Sequence, residues 1–238
     1  MANSLILTKA QNAVTAHDWS TAARFYKELL RSDESNVEYL QQLGSIYVRA
    51  GQDEKAIPYY EQIITFNQNN TDAMVSLGAI FRRLKRYEDS VNILHKAQDI
   101  SAGNPAINYN LGFTYKEMGD YDDAIDAFEI VTARNPDDVL AHNHLGSIYL
   151  AKKEHDKAIT AFKRGLQVDQ NHPILNYNLA HVYEEIKNYP EAVRQLRILF
   201  YRAPLINIEH IGIIVKDSEI ISDNKCLILL TYCEVKSR

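Results

Sequence analysis

The apolar residues of this chain return at intervals of three and four positions, which is the spacing of a helix that buries one stripe. Leu111 and Tyr115 mark one such helix, and Ala124 and Phe128 mark the next. The intervening sequence MGDY, residues 118–121, includes Gly119, which can adopt the left-handed conformation that ends a helix. The pattern therefore predicts two antiparallel helices joined by a short turn.

This helix pair recurs along the chain every 34 residues. A small residue marks the first helix at Ala10, Gly44, Gly78, Gly112, Gly146 and Ala180. Another small residue marks the second helix at Ala22, Ala56, Ser90, Ala124, Ala158 and Ala192. A large apolar residue follows at Tyr26, Tyr60, Leu94, Phe128, Phe162 and Leu196. We expect the small residues to face each other, as Gly112 and Ala124 would, with the large residues filling the space around them.

The turns and the helix starts repeat at the same interval. Gly51 occupies the turn position of Gly119, and Lys85, Lys153 and Lys187 occupy it in other repeats. We expect these lysines to adopt the left-handed conformation at a cost of about 1 kcal/mol each. A further shared position predicts the start of the second helix at Trp19, Tyr87, Tyr121, His155 and Tyr189.

The series of Leu-Gly, Tyr, Ala, aromatic and Pro at fixed offsets resembles the tetratricopeptide repeat family. The resemblance covers about residues 3–206, although Lys9 and Ala13 replace the expected Leu and Tyr in the first repeat. It implies an all-α, right-handed superhelical solenoid of about six 34-residue helix-turn-helix repeats. The repeats would span about residues 3–36, 37–70, 71–104, 105–138, 139–172 and 173–206.

The 34-residue pattern ends near Pro204. We therefore expect a repeat array over residues 1–204 and a non-repeat tail over residues 205–238. The tail has no alanine and many isoleucines. Two interpretations stay open: a tail docked on the sixth repeat, with a helix over residues 208–221, or a foreign or truncated end. Residues 226–233 are uncharged and have high β propensity, so an exposed tail would promote self-association.

Composition narrows the classes of protein and partner. The net charge of −5 gives no global basic field, so nucleic acid is not an expected partner. The sequence contains no run of about 18 apolar residues, so it predicts no membrane span. No leader is recognised either, and together these observations favour a cytoplasmic protein. Only Cys226 and Cys233 are present, so disulfides are not expected to hold the repeats.

Catalytic and metal-binding signatures are missing from the sequence. Asp120, Asp122 and Asp123 form a carboxylate cluster, but they fall at a predicted helix start, where negative charge complements the helix dipole. His142 and His144 are two residues apart on a predicted helix, so they cannot form the i, i+4 pair of a helical metal site. We therefore expect no enzyme, no catalytic residue, no cofactor and no metal.

The resemblance implies that the first helix of each repeat lines a concave groove that binds a peptide. The candidate groove residues are Gln42, Arg49, Ser76, Arg82, Arg83, Tyr109, Asn110, Phe113, Lys116, Asn143, His144, Tyr177, Asn178 and His181, with Ser147, Leu150 and Glu184 on the same face. The lysine clamp that binds a C-terminal Glu-Glu-Val-Asp in some family members is missing, so binding of chaperone tails is not expected.

Polar residues precede each Leu-Gly or Leu-Ala pair in repeats two to six. Asn110 and Asn178 among them partly resemble the asparagine ladder in the repeat array of O-linked N-acetylglucosamine transferases. An amide both donates and accepts, which suits the main chain of an extended peptide. The alternative is that these residues only solvate an exposed helix face.

Charge is distributed unevenly along the expected groove. Basic residues close the first helices of repeats two to four at Arg49, Arg82, Arg83 and Lys116. Acidic residues hold this place in repeat six at Glu184 and Glu185. We therefore expect an extended peptide with its acidic part on repeats two to four, its apolar side chains on Tyr109, Phe113 and Tyr177, and its main chain bonded to Asn110 and Asn178.

The expected function is a scaffold for protein–protein interaction that binds a peptide or partner segment in this groove. Two alternatives stay open on the sequence. One is the targeting array of a larger, glycosyltransferase-like enzyme, and the other is a specialised chaperone of secreted proteins.

Overall fold

The computed structural model describes residues 2–201 and 236, and the first of these ranges forms twelve helices and no strand. The helices are α1 Ala2–Thr15, α2 Trp19–Ser32, α3 Val37–Arg49, α4 Asp53–Phe66, α5 Thr71–Arg83, α6 Tyr87–Ile100, α7 Pro105–Met118, α8 Tyr121–Arg134, α9 Val139–Ala151, α10 His155–Val168, α11 Pro173–Glu185 and α12 Tyr189–Tyr201. The chain divides into two compact halves between Asp120 and Tyr121. The N-terminal half contains α1–α7, and the C-terminal half contains α8–α12.

Within each half, every helix packs against the next one along the chain. The pairs within single repeats are α1 with α2, α3 with α4 and α5 with α6 in the N-terminal half, and α9 with α10 and α11 with α12 in the C-terminal half. First helices of neighbouring repeats also touch, α5 with α7 and α9 with α11. The predicted all-α array of helix-turn-helix repeats is therefore confirmed.

Glycines on the first helices allow these close pairings. A Cβ atom at Gly44 would lie 2.7 Å from Cε2 of Tyr60, and one at Gly78 would lie 2.7 Å from Cγ of Leu94. Both distances are far below the usual separation of carbon atoms, about 3.5–4.0 Å. The large residues therefore fill the space around these two glycines, as predicted. Facing of Gly112 and Ala124, which lie in different halves, stays a prediction.

The turns between paired helices have one conformation. The residue at the shared turn position has a positive φ in all six cases: His17 at 56°, Gly51 at 69°, Lys85 at 59°, Gly119 at 90°, Lys153 at 60° and Lys187 at 61°. The prediction for the glycines and lysines is confirmed, and His17 was not predicted. The second helices begin at the five predicted aromatic or histidine positions.

The first helices begin at side chains that cap them. Asn36, Asn70 and Asp138 each accept a hydrogen bond from the backbone N–H three residues later, over 2.9–3.0 Å. Asn104 caps α7 through the N–H of Ala106. Such caps satisfy backbone donors that have no partner inside the helix. They explain why the 34-residue register of the first helices is sharply defined.

The core of the N-terminal half contains a pair of hydroxyl side chains. Ser90 and Thr114 are fully buried, and their hydroxyl oxygens lie 3.0 Å apart. The Ser90 hydroxyl also contacts the carbonyl of Gly78 at 2.8 Å, and the Thr114 hydroxyl contacts that of Asn110 at 2.7 Å. The other repeats have alanine at the position of Ser90, so its hydroxyl is accommodated only because acceptors surround it.

The expected end of the array at Pro204 and the expectations for residues 205–238 lie outside the residues that can be described, apart from Lys236. The docked tail, the helix over residues 208–221 and the association through residues 226–233 remain predictions. In the described part of the chain, no helix combines the length and the apolar character that crossing a membrane requires.

Candidate functional site

All fourteen predicted groove residues lie on first helices, and we call this surface the first-helix face. It consists of α3, α5 and α7 in the N-terminal half and of α9 and α11 in the C-terminal half. The side chains differ widely in exposure, from the exposed Gln42 to the buried His144 and Asn178. The two halves are described separately below.

In the N-terminal half, an aromatic and charged cluster joins α5 to α7. Tyr109 and Phe113 stack with ring centroids 6.0 Å apart, and the guanidinium of Arg82 lies 5.3 Å from the Phe113 centroid. Arg82 also forms an ion pair with Glu117 of α7. The structure therefore brings together three of the predicted residues. However, the arginine among them already forms an ion pair with a carboxylate of the chain itself.

The other two predicted groove arginines of this half also have internal contacts. Arg83 forms two parallel hydrogen bonds with Asp53, with Nε to Oδ2 at 2.7 Å and NH2 to Oδ1 at 2.8 Å. The guanidinium of Arg49 lies 5.9 Å from the ring centroid of Trp19. Lys116 is half-buried, and no ion pair involves it within the described residues. Of the four predicted basic residues, two are therefore paired with carboxylates of the chain.

The polar residues expected to bond a ligand in this half also contact their own helices. The hydroxyl of Ser76 donates to the carbonyl of Asp72 at 2.9 Å, and Nδ2 of Asn110 donates to the carbonyl of Ala106 at 2.9 Å. Both side chains remain half-buried rather than exposed. A peptide at Asn110 would meet an amide that already donates one hydrogen bond within its own helix.

In the C-terminal half, an amide pair links the two first helices. Nδ2 of Asn178 donates to Oδ1 of Asn143 at 2.9 Å. Asn178 is only 8% exposed, and His144 is 7% exposed and stacks on Phe128 with centroids 5.1 Å apart. Asn178 and His144 therefore offer little surface to a ligand, whereas Asn143, Tyr177 and His181 are half-buried.

A cavity of about 420 Å³ opens beside this amide pair, between α9 and α11. It is lined by Ser147, Leu150, Ala151, Lys153, Asn178, His181 and Glu185. Glu185 lies between two histidines, with Oε2 at 3.0 Å from Nε2 of His155 and Oε1 at 3.6 Å from Nδ1 of His181. The sequence did not assign Ala151 or Lys153 to this face, because the end of α9 was recognised only as a helix terminus.

A larger cavity of about 850 Å³ lies elsewhere in the C-terminal half, between α8, α9 and α10. The hydroxyl of Tyr149 at its wall donates to Oε1 of Glu129 at 3.2 Å. Burial, followed by the nearby Glu129 carboxylate, raises the pKa of Tyr149. His142, Leu145 and Tyr149 are its only lining residues from a first helix, so it is separate from the predicted groove.

No group of three or more His, Cys, Asp and Glu side chains within the described residues is placed to hold a metal ion. The first-helix face offers instead aromatic surface in the N-terminal half, and hydrogen-bond donors and acceptors around a cavity in the C-terminal half. Such surfaces can bind a polypeptide through side-chain contacts and main-chain hydrogen bonds.

Comparison with known proteins agrees with this architecture. Three family models described as Tetratricopeptide repeat match residues 37–70, 109–173 and 149–205, which together are more than half of the chain. No curated protein matches significantly. A crystal structure of MamA is 26% identical, with a TM-score of 0.64, and the match covers 71% of this chain and 92% of MamA.

Two further solved structures share the fold at lower identity. A tetratricopeptide repeat protein from Parabacteroides merdae is 15% identical with a TM-score of 0.65, covering 98% of this chain and 84% of that one. YrrB, described as a TPR protein with an unusual peptide-binding site, is 17% identical with a TM-score of 0.60, covering 77% of this chain and 94% of that one. From its repeats, its helix pairs and these matches, the chain belongs to the tetratricopeptide repeat family.

Proposed function

We propose that this chain is a non-catalytic scaffold that binds an extended segment of a partner protein on its first-helix face. Membership of the tetratricopeptide repeat family points to protein partners. The observation that carries the proposal is the cavity between α9 and α11, because four predicted face residues line it: Ser147, Leu150, Asn178 and His181.

Each half offers its own kind of contact to such a segment. The stacked rings of Tyr109 and Phe113 provide apolar surface for a side chain of the ligand. Around the cavity, Lys153 can donate hydrogen bonds to the main chain of a ligand. Glu185, which also contacts His155 and His181, can accept them. Because Asn178 is bonded to Asn143, we assign it a supporting role, in which it fixes the spacing of α9 and α11.

The internal ion pairs change the expected electrostatics of the ligand. A carboxylate of the ligand would have to displace Glu117 from Arg82, or Asp53 from Arg83. We therefore assign the acidic contact of the ligand chiefly to Arg49 and Lys116, which form no ion pair in the described residues. Replacing Arg82 and Arg83 by glutamate is a poor test, since each new carboxylate would stand beside an existing one.

Filling the cavity between α9 and α11 provides a cleaner test. Ser147→Arg places a long, charged side chain at a half-buried position of the cavity wall. Partners captured by the immobilised full chain are compared by quantitative mass spectrometry, and the affinity of the best partner is then measured by titration. We expect Ser147→Arg to weaken this affinity about tenfold, which corresponds to about 1.4 kcal/mol.

Thr160→Arg is the matched control, because Thr160 is exposed on α10, a second helix, and lines the larger cavity and not the one between α9 and α11. It should leave the affinity unchanged, and far-UV circular dichroism should show equal helix content in both variants. A partner that binds Ser147→Arg as tightly as wild type would place the binding surface outside the first-helix face of the C-terminal half.

A further inference from the structure

A second pocket, of about 450 Å³, lies in the N-terminal half between α2, the end of α3 and the start of α4. We call it the α2–α4 pocket. Its lining residues are Trp19, Ser20, Ala23, Arg24, Lys27, Ile46, Tyr47, Ala50, Gln52 and Lys55. None of the predicted groove residues lines it, so it is a surface distinct from the proposed peptide site.

Every charged residue that lines this pocket is basic. Arg24 and Lys27 lie one turn apart on α2, and Lys55 faces them from α4. None of the three forms an ion pair within the described residues. Lys27 lies 5.4 Å from the ring centroid of Tyr47, and Lys55 bonds the neutral amide oxygen of Gln52 at 3.0 Å. The positive charge of the pocket is therefore uncompensated by its own walls.

Among the carboxylates on the surrounding elements, Asp18 interacts electrostatically with Arg24, but it does not line the pocket. Asp18 is the N-cap of α2, where its side chain accepts a hydrogen bond from the N–H of Thr21 at 3.0 Å. That hydrogen bond keeps the pKa of Asp18 below its usual value. Glu28 and Glu54 are exposed on α2 and α4, and they do not line the pocket.

The floor of the pocket is apolar. Ala23, Ile46 and Tyr47 are buried, and Trp19 at one end is half-buried. Charges at the rim of such a floor interact more strongly with an anion than charges on a fully solvated surface, because the local dielectric constant is lower. The site thus combines apolar contact with positive charge.

The charge pattern is particular to this repeat. The positions equivalent to Arg24, Lys27 and Lys55, shifted by multiples of 34 residues, form four further sets of three residues. Each of these sets contains at least one carboxylate. These sets are Pro58, Glu61 and Asp89; Asn92, His95 and Asp123; Asp126, Glu129 and Lys157; and Thr160, Lys163 and Glu191. The repeat architecture therefore does not require basic residues here.

We propose that the α2–α4 pocket binds a short acidic segment of a partner protein. The face of α2 from Ser20 to Lys27 is about 10 Å long at about 1.5 Å per residue, which is the span of about three residues of extended chain. Alternate side chains of an extended segment point to the same side, so two carboxylates can reach Arg24, Lys27 and Lys55 together. The apolar floor favours a polypeptide over a small inorganic anion.

Trp19 is the one tryptophan of the 238 residues and lines this pocket, so its fluorescence responds to a ligand there. Because the guanidinium of Arg49 also lies 5.9 Å from the Trp19 ring centroid, the variants of Arg24 and Lys55 assign the response to the pocket. The full chain is titrated with a hexaglutamate peptide blocked at both ends. We expect a saturable change in Trp19 emission, and an apparent affinity that falls as salt is added because exposed charges are screened. The double variant Arg24→Gln with Lys55→Gln should bind about fivefold more weakly.

Two matched variants control for net charge and for folding. Lys96→Gln with Arg134→Gln removes the same charge from exposed positions outside the pocket and should bind like wild type. Arg24→Lys with Lys55→Arg keeps the charge and should also keep the affinity. Ser147→Arg should leave hexaglutamate binding unchanged, which separates this site from the cavity between α9 and α11.

Three results would overturn the proposal. The first is an unchanged Trp19 emission at millimolar hexaglutamate. The second is equal affinity of the wild type and of Arg24→Gln with Lys55→Gln. The third is an equal response to sulfate at the same ionic strength, which would show general anion binding without any preference for an acidic polypeptide.

Discussion

Replacing Gly146 with leucine should destabilise the C-terminal half of the array by about 3 kcal/mol, the upper end of the usual cost of overpacking. A Cβ atom at Gly146 would lie 2.6 Å from Cδ1 and 2.7 Å from Cζ of Phe162. The Phe162 side chain is fully buried, so it cannot swing into solvent. Leucine has a higher helix propensity than glycine, but this stabilises the variant by less than about 1 kcal/mol. The steric clash therefore decides the sign of the change in stability. Urea unfolding and hydrogen exchange of α9 and α10 measure the effect.

A compensating substitution distinguishes a clash with Phe162 from a general effect of leucine on α9. Phe162→Ala alone should cost about 3–5 kcal/mol, because it leaves a cavity. In the double variant the leucine can enter this cavity, and the total cost should fall short of the sum by more than about 1 kcal/mol. Ala151→Leu, at an exposed position of the same helix, should leave the urea midpoint unchanged. An unchanged midpoint for Gly146→Leu would contradict the close pairing of α9 and α10.

The sequence predicts the helix pairs well because their packing depends on residue size at fixed positions. Glycine opposite a large side chain recurs at Gly44 and Gly78, and the structure shows the corresponding close approach. The left-handed turn at His17 escapes sequence analysis because the first repeat lacks the Leu and Tyr of the signature. The helix hairpin imposes that conformation whether or not the local residue favours it.

The partners of the charged side chains are not predictable from the repeat pattern. Arg82 pairs with Glu117, 35 residues away, and Arg83 pairs with Asp53, 30 residues away. The period gives the angular position of each arginine on its helix, but the reach of a long side chain to the next helix depends on its rotamer. Two residues assigned to the ligand therefore turn out to have internal carboxylate partners.

The burial of the residue before each Leu-Gly or Leu-Ala pair is also not predictable from the repeat pattern. Gln42 is exposed at this position, Ser76 and Asn110 are half-buried, and His144 and Asn178 are buried. The position on the helix is the same in every repeat. Its exposure also depends on the side chains of the neighbouring helices, such as the Phe128 ring on which His144 stacks. One helical period cannot contain that information.

A further set of polar residues was not recognised as structural. Asn108 and Asn176 are fully buried, and His142 is nearly so. Each lies near the carbonyl of the residue six positions earlier, with distances of 3.5 Å for Asn108 Nδ2, 2.8 Å for His142 Nε2 and 3.1 Å for Asn176 Nδ2. The 34-residue spacing of these three residues is the signal that could have identified them.

Asn176 provides the second large prediction, because its two polar atoms differ in how well they are satisfied. Nδ2 donates to the carbonyls of Gln170 at 3.1 Å and His172 at 3.0 Å. Oδ1 is buried and has no hydrogen-bond partner within the described residues. Oδ1 of Asn108 in the fourth repeat accepts from Nε2 of Gln98 in the third at 3.0 Å. For Asn176 in the sixth repeat, the residue equivalent to Gln98 is Leu166 in the fifth, which has no donor.

Asn176→Ala should therefore lower the free energy of unfolding by about 2 kcal/mol, through lost hydrogen bonds to the turn before α11. Leu166→Gln should supply the missing donor to Oδ1, and both residues line one open pocket, where the longer polar side chain has room. The new hydrogen bond should contribute about 1 kcal/mol when Asn176 is present and nothing when alanine replaces it. Urea unfolding of the wild type, both single variants and the double variant gives this coupling directly.

Asn171→Ala is the control for this cycle, since Asn171 is exposed in the same turn. Its side chain should matter little, because solvent can replace any hydrogen bond that it makes. Equal stability of Asn176→Ala and wild type would mean that water satisfies the two carbonyls as well as the amide does. A Leu166→Gln effect that is the same in both backgrounds would show that glutamine acts through the surface and not through Oδ1. The combination of a large Asn176→Ala cost and a positive coupling would establish this amide as the tie between the repeat turn and the start of α11.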